Sequence, residues 1–199
     1  MKTMSEIKER KAARKVIEAQ NSLLELKKEA QVMQKKGLPF MMASVVIWTM
    51  IFGVQFLNKD ITTLNFYTFM CSCFLMPLAF RFSKLLGADI FKKTDNPINK
   101  LGFLCTLNQM LYLLIVMWAY SKNPEAMVML YAMVFGAHLL PYGWVYDNKA
   151  YMAAAVLETL GSLLIACVWG NLVMIPFMIV VQVVLCVILY IDTKQNSNV

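Results

Sequence analysis

The chain has 199 residues, about one domain's length; 59% of them are hydrophobic, 16% are charged, and the mean hydropathy is +0.58. A typical soluble domain is roughly 45–50% apolar and 25% charged, so an ordinary soluble enzyme, a disordered chain and a collagen-like fibre are excluded. The net charge of +7 sits in short blocks between long apolar runs, the pattern of a multi-pass membrane protein whose basic loops face an anionic leaflet rather than nucleic acid.

Residues 1–37 predict a cytoplasmic amphipathic helix. The first 36 residues contain neither Gly nor Pro and are rich in Lys, Glu, Ala, Gln and Leu, all good helix formers. Thr3 followed by Glu6 fits a capping box. Apolar residues recur at Ala12, Val16, Ala19, Leu23, Leu26, Ala30 and Met33. Their steps of four and three residues form a heptad seam on a helix roughly 50 Å long. Gly37, Leu38 and Pro39 stop it. The seam has two competing placements. It lies on the lipid surface with lysines toward headgroups, or it packs on a second copy or on cytoplasmic loops. A solvated helix is the remaining option.

Six apolar segments follow: Pro39–Leu57, Thr63–Phe80, Leu101–Tyr120, Ala126–Tyr146, Ala150–Gly170 and Leu172–Ile191. Each approaches the ~20 residues that cross ~30 Å of hydrocarbon. The expected class is an all-α membrane protein: a six-helix transmembrane domain over 38–192, followed by a cytoplasmic tail over 193–199. No early apolar stretch resembles a signal peptide, so the first crossing helix would direct insertion. The N-terminal segment, the second and fourth connectors and the tail together hold 17 Lys and Arg, while the other side holds Lys59 and Lys122. The positive-inside rule then puts both termini in the cytoplasm. The two halves carry no convincing repeat, because Pro77 and Pro176 fall at positions that do not correspond.

Ionisable residues inside a membrane segment are costly and mark functional sites by default. The single histidine, His138, and one deep acid, Glu158, lie at matched depth on the fourth and fifth segments, which a tight turn joins. Asn108, Gln109 and Gln182 fall at the same level, ~10–14 Å in from the cytoplasmic boundary. Tyr112 and Tyr131 lie one and two turns away. These seven residues form a candidate ligand-binding layer with His138 and Glu158 as direct partners. The competing reading is helix–helix glue. Small residues surround Glu158 at Ala154, Ala155, Gly161 and Ser162, which permits close packing or a cavity. Pro141 denies the Ala137 carbonyl its helical partner and predicts a kink.

The five cysteines, Cys71, Cys73, Cys105, Cys167 and Cys186, all fall in apolar runs and read as small hydrophobes rather than a disulfide framework. No P-loop, GxGxxG, HExxH or GxSxG motif is present. One histidine and one deep acid cannot cage a transition metal, so no catalytic set, metal or cofactor is expected.

KKGLPF at Lys35–Phe40, FSKLL at Phe82–Leu86, Asn96–Pro97, GAHLLPYGWVY at Gly136–Tyr146 and KAY at Lys149–Tyr151 resemble a family of small, uncharacterised bacterial integral membrane proteins. The resemblance covers about Lys35 to Tyr151. It implies a bacterial plasma-membrane protein and no particular activity. Taken together, these features point to a small transporter or ligand-binding membrane subunit with a polar site inside the bundle. The alternative is a non-catalytic membrane scaffold or regulatory protein acting through the N-terminal helix. A membrane enzyme acting on lipid, with His138 as base, ranks third. The partners expected are the lipid bilayer, a homo-oligomer or partner membrane subunit, and a small-molecule or ion ligand of unstated identity; nucleic acid is not among them.

Overall fold

The computed structural model describes residues 4–90 and 94–195. Thr3 of the expected capping box, Lys92 and Lys93 of the second connector, and residues 196–199 of the tail lie outside the described residues. Among the described residues the regular structure is entirely helical. Six helical stretches are long and apolar enough to cross a membrane.

Helix α1 (Met4–Gln34) ends in a 3₁₀ turn over Lys35–Gly37, and α2 (Leu38–Val54) begins at once. Lys35, Lys36 and Gly37 all have positive φ, 45°, 52° and 74°, a region costly for residues with a Cβ. The turn is held by contacts from far along the chain. Tyr151 Oη donates to the Lys36 carbonyl at 2.6 Å, and Lys36 Nζ pairs with Asp192 at 2.5 Å. A Cβ on Gly37 would meet the Tyr151 hydroxyl at 3.0 Å and the Tyr146 ring at 3.1 Å.

The second apolar segment, expected as one helix over Thr63–Phe80, is instead two, α3 (Ile61–Ser72) and α4 (Leu75–Leu86). Pro77 supplies the reason. It has no N–H to give the Cys73 carbonyl, and its ring crowds that carbonyl, so the chain turns at Cys73–Phe74. Asp60 caps α3, accepting from Thr63 N at 2.9 Å and Thr63 Oγ1 at 2.8 Å. These bonds favour the charged carboxylate and hold Asp60 below the usual carboxylate range. Then follow α5 (Pro97–Lys122), α6 (Met127–Val145), α7 (Lys149–Trp169) and α8 (Asn171–Gln195). Pro141 sits inside α6 without ending it.

Helices α5, α6, α7 and α8 pack as consecutive neighbours; α8 then meets α2, and α2 meets α3 and α4. Two apolar clusters stack inside. One gathers Trp48, Ile51, Met127, Phe135, Ile175 and Met178. The other gathers Leu38, Met41, Leu139, Tyr151, Ala154 and Leu189 at the end of the bundle that carries α1. Helix α5 is the least covered of the crossing helices.

The last two turns of α1 pack across that end of the bundle. Lys27 Nζ stands 3.6 Å over the Trp144 ring. Asn96 Nδ2 donates to Leu26 O at 2.8 Å and to Glu29 at 3.0 Å. Gln34 joins Asn99 and Tyr146. Residues 11–25, by contrast, are exposed throughout.

Candidate functional site

The two apolar clusters are separated by a polar layer. Ser44 on α2 stands between Met41 and Ile47, and Gln182 on α8 between Met178 and Leu185, the members of each pair belonging to different clusters. Glu158 on α7 lies at the same junction, completely buried, as are Ser162 and Gln182. Both Glu158 oxygens and Gln182 Nε2 make no hydrogen bond. Gln182 is hydrogen-bonded through its oxygen alone. Its Oε1 lies 2.6 Å from Ser44 Oγ, which also reaches Met41 O at 2.7 Å.

Proton counting makes this trio informative. Ser44 has one hydroxyl hydrogen and cannot serve both acceptors. With Gln182 Nε2 facing an ionised Glu158, Ser44 donates to Oε1. With the amide reversed, Nε2 donates to Ser44 Oγ, Ser44 donates to Met41 O, and Oε1 accepts from a protonated Glu158. Were the two side chains to close on one another, each charge state of the acid would thus match one amide orientation.

The close approach of α7 to this level depends on Gly136. A Cβ there would stand 2.7 Å from Glu158 Cβ and 2.8 Å from Thr159 N. His138 is two residues on, about 200° around the helix, and therefore faces away. The expected His138–Glu158 pair is absent: no hydrogen bond or ion pair joins them among the described residues. His138 Nδ1 instead donates to the Phe135 carbonyl, which fixes the tautomer and leaves Nε2 as acceptor. Its ring starts an aromatic ladder, 5.9 Å from Tyr142, which stacks 5.9 Å from Tyr146, itself 5.7 Å from Tyr151.

The other expected members divide. Asn108 and Tyr112 point outward from α5 and are exposed, because α5 touches the bundle along one narrow edge. Gln109 and Tyr131 do come together with Ser44, Ser72, Trp48 and Phe135 around a cavity of about 30 Å³. That is room for a water-sized guest beside polar partners. Tyr131 Oη lies 2.7 Å from Ser72 Oγ, near the break made by Pro77. Ser44 touches both this cavity and Gln182, so a hydrogen bond joins Gln182 to the cavity wall, with Glu158 buried at the same level. Ser44 and Ser72 had no sequence signal, since a lone serine in an apolar helix usually bonds its own backbone.

A second polar cluster was also hidden in the sequence. Lys36, Asp192 and Asn148 meet at the α1 end, with Asn148 Nδ2 donating to Asp192 Oδ2 at 2.9 Å. All five cysteines are free thiols; Cys71 is buried, while Cys73 and Cys167 are exposed. Among the described residues, no group of three or more His, Cys, Asp or Glu is arranged to hold a metal ion.

The profile of a family of unknown function, DUF7010, matches residues 23–192. No curated protein matches the chain, and no solved structure does.

Proposed function

Since the chain belongs to this family of unknown function, its activity must be read from its own site, and we propose a small transporter or ligand-binding membrane subunit that takes a proton or a water-sized cation at Glu158. The observation that carries this reading is a carboxyl with no exposed surface and both oxygens unpaired, at the level of Gln182, whose amide nitrogen is also unpaired and whose oxygen meets Ser44 at the wall of a small cavity lined by Ser72, Gln109 and Tyr131 as well as apolar side chains. Leaving buried polar atoms unpaired costs about 1–3 kcal/mol each, a cost that a bound cation or proton removes. The strongly basic end of the bundle faces the cytoplasm of a bacterial cell in this reading, with the protein in the plasma membrane.

Trp48 lines the cavity and is buried, so its fluorescence serves as the test. A variant with Trp118, Trp144 and Trp169 changed to Phe, in phosphatidylcholine nanodiscs, is titrated with protons, sodium, potassium and ammonium. At least one should give a saturable change that Glu158→Gln abolishes. Four flat titrations, or identical curves in Glu158→Gln, overturn the assignment.

The second reading, a scaffold or regulatory subunit, draws on the exposed Val16 and Ile17 of α1, 57% and 56% accessible. It requires residues 11–25 to be covered only when a partner protein is present.

A further inference from the structure

The first half of α1 carries an unpartnered apolar face whose direction is set by its second half. Ala30, Met33 and Gln34 lie on the side of α1 that rests on the bundle: Ala30 is fully buried, and Gln34 bonds Asn99 and Tyr146. At 100° per residue, Val16 and Leu23 project from this same side. The face that meets the bundle at residues 26–34 therefore continues outward over residues 11–25, about 22 Å of helix, with the bundle no longer beneath it. Beyond the bundle's edge, residues 11–25 are exposed and no described residue covers that face.

Two further features separate lipid from a second copy of the chain. The exposed apolar surface is wider than a two-stranded seam. Ile17 and Leu24, 56% and 49% accessible, lie about 100° round from Val16 and Leu23, where a dimer partner would leave them bare and a lipid surface would cover them. The seam itself is also poor. Leu26 and Ala30 are already packed against the bundle, which leaves Ala12, Val16, Ala19 and Leu23. The positions flanking those residues hold Lys15, Gln20 and Ser22, so no opposite-charge pair can form across a dimer.

The charges are arranged for an anionic surface. Lys15 borders one edge of the apolar sector, with Lys11 about 40° further round toward the outer face, and Lys28, in the half that rests on the bundle, borders the other. Glu18 and Glu25 lie opposite, on the outer face, where Glu18 pairs with Arg14 at 3.0 Å. The outer face is thus of mixed charge, and Lys15 at the edge, with Lys11 beyond it, is placed to meet lipid phosphates when the apolar sector faces the acyl chains.

We propose that residues 11–25 of α1 lie on the surface of the anionic leaflet beside the bundle, with Val16, Ile17, Leu23 and Leu24 inserted among the acyl chains and the lysines on lipid phosphates. This goes beyond the reading of Glu158 and stands or falls separately from it. The test is amide hydrogen exchange of the full chain in nanodiscs of 3:1 phosphatidylcholine to phosphatidylglycerol and of phosphatidylcholine alone. Exchange over residues 11–25 should be at least about fivefold slower in the anionic discs, about the factor for one basic residue at such a surface. Ile17→Asp with Leu24→Asp should abolish the difference without changing the melting temperature of the bundle. Protection that is equal in both lipids, that survives this double change, or that appears only with two chains per disc assigns the face to a second copy. Fast exchange in both lipids leaves it solvated. Either result overturns the proposal.

Discussion

Gly136 has no side chain at the point where α7 comes nearest, and that absence sets the geometry of the buried acid. Gly136→Ala would push a methyl to within 2.7 Å of Glu158 Cβ and 2.8 Å of a backbone nitrogen. Overpacking of this kind costs about 1–3 kcal/mol, so the melting temperature in detergent should fall while the protein stays helical by circular dichroism. The partner of Glu158 can be tested in the same way. Double-mutant cycles pairing Glu158→Leu with Gln182→Leu should depart from additivity by more than ~0.5 kcal/mol. The cycle of Glu158→Leu with His138→Leu should add within that margin, since the two side chains make no contact. Sequence depth alone could bring His138, Glu158 and Gln182 to one level, because rise per residue is nearly constant. It could not give rotation about the helix axis, which is why His138 was expected to face Glu158 and instead faces Tyr142. The outward turn of Asn108 and Tyr112 has the same origin: α5 carries apolar residues on every side, so its sequence does not mark which edge meets the bundle.

At the scale of elements, six crossing segments were readable because hydropathy runs and charge blocks are strong signals. The break in the second segment was less so. Pro77 was visible, but a proline inside an apolar run ends a helix in some contexts and is absorbed in others, as Pro141 is absorbed in α6. The turn between α1 and α2 shows a different limit. Its three left-handed residues are stabilised by Tyr151 and Asp192, more than a hundred positions away. The two ends of the Lys36–Asp192 pair are unequal. Lys36 is 7% accessible and Asp192 32%, and Asp192 keeps Asn148 if the lysine is lost. Asp192→Leu should therefore destabilise more than Lys36→Met in thermal unfolding. The loss should stay below the ~3–5 kcal/mol of a fully buried pair, because water screens the half-exposed partner. Equal losses would show that solvent reaches both ends.

For the molecule as a whole, orientation follows from charge. Single cysteines introduced at Asn58 and Asn123 in a background without the native thiols should react with a membrane-impermeant maleimide added to intact cells, as both lie on the side that holds only Lys59 and Lys122. Labelling of either site only after the membrane is opened would reverse the topology. The contact between Lys36 and Asp192 also has a consequence in time. A ribosome delivers the two residues 156 positions apart, so the first crossing helix is made long before the acid that neutralises its leading lysine. Until α8 arrives, that ammonium has no Asp192 to pair with at its final depth, and because an unpaired buried charge is costly, α2 should stop short of its resting place. Completion of the last helix thus licenses the seating of the first. A nascent chain stopped after Gly170 should leave a cysteine substituted at Leu38, with Lys36 intact, open to labelling, and one stopped after Gln195 should close it.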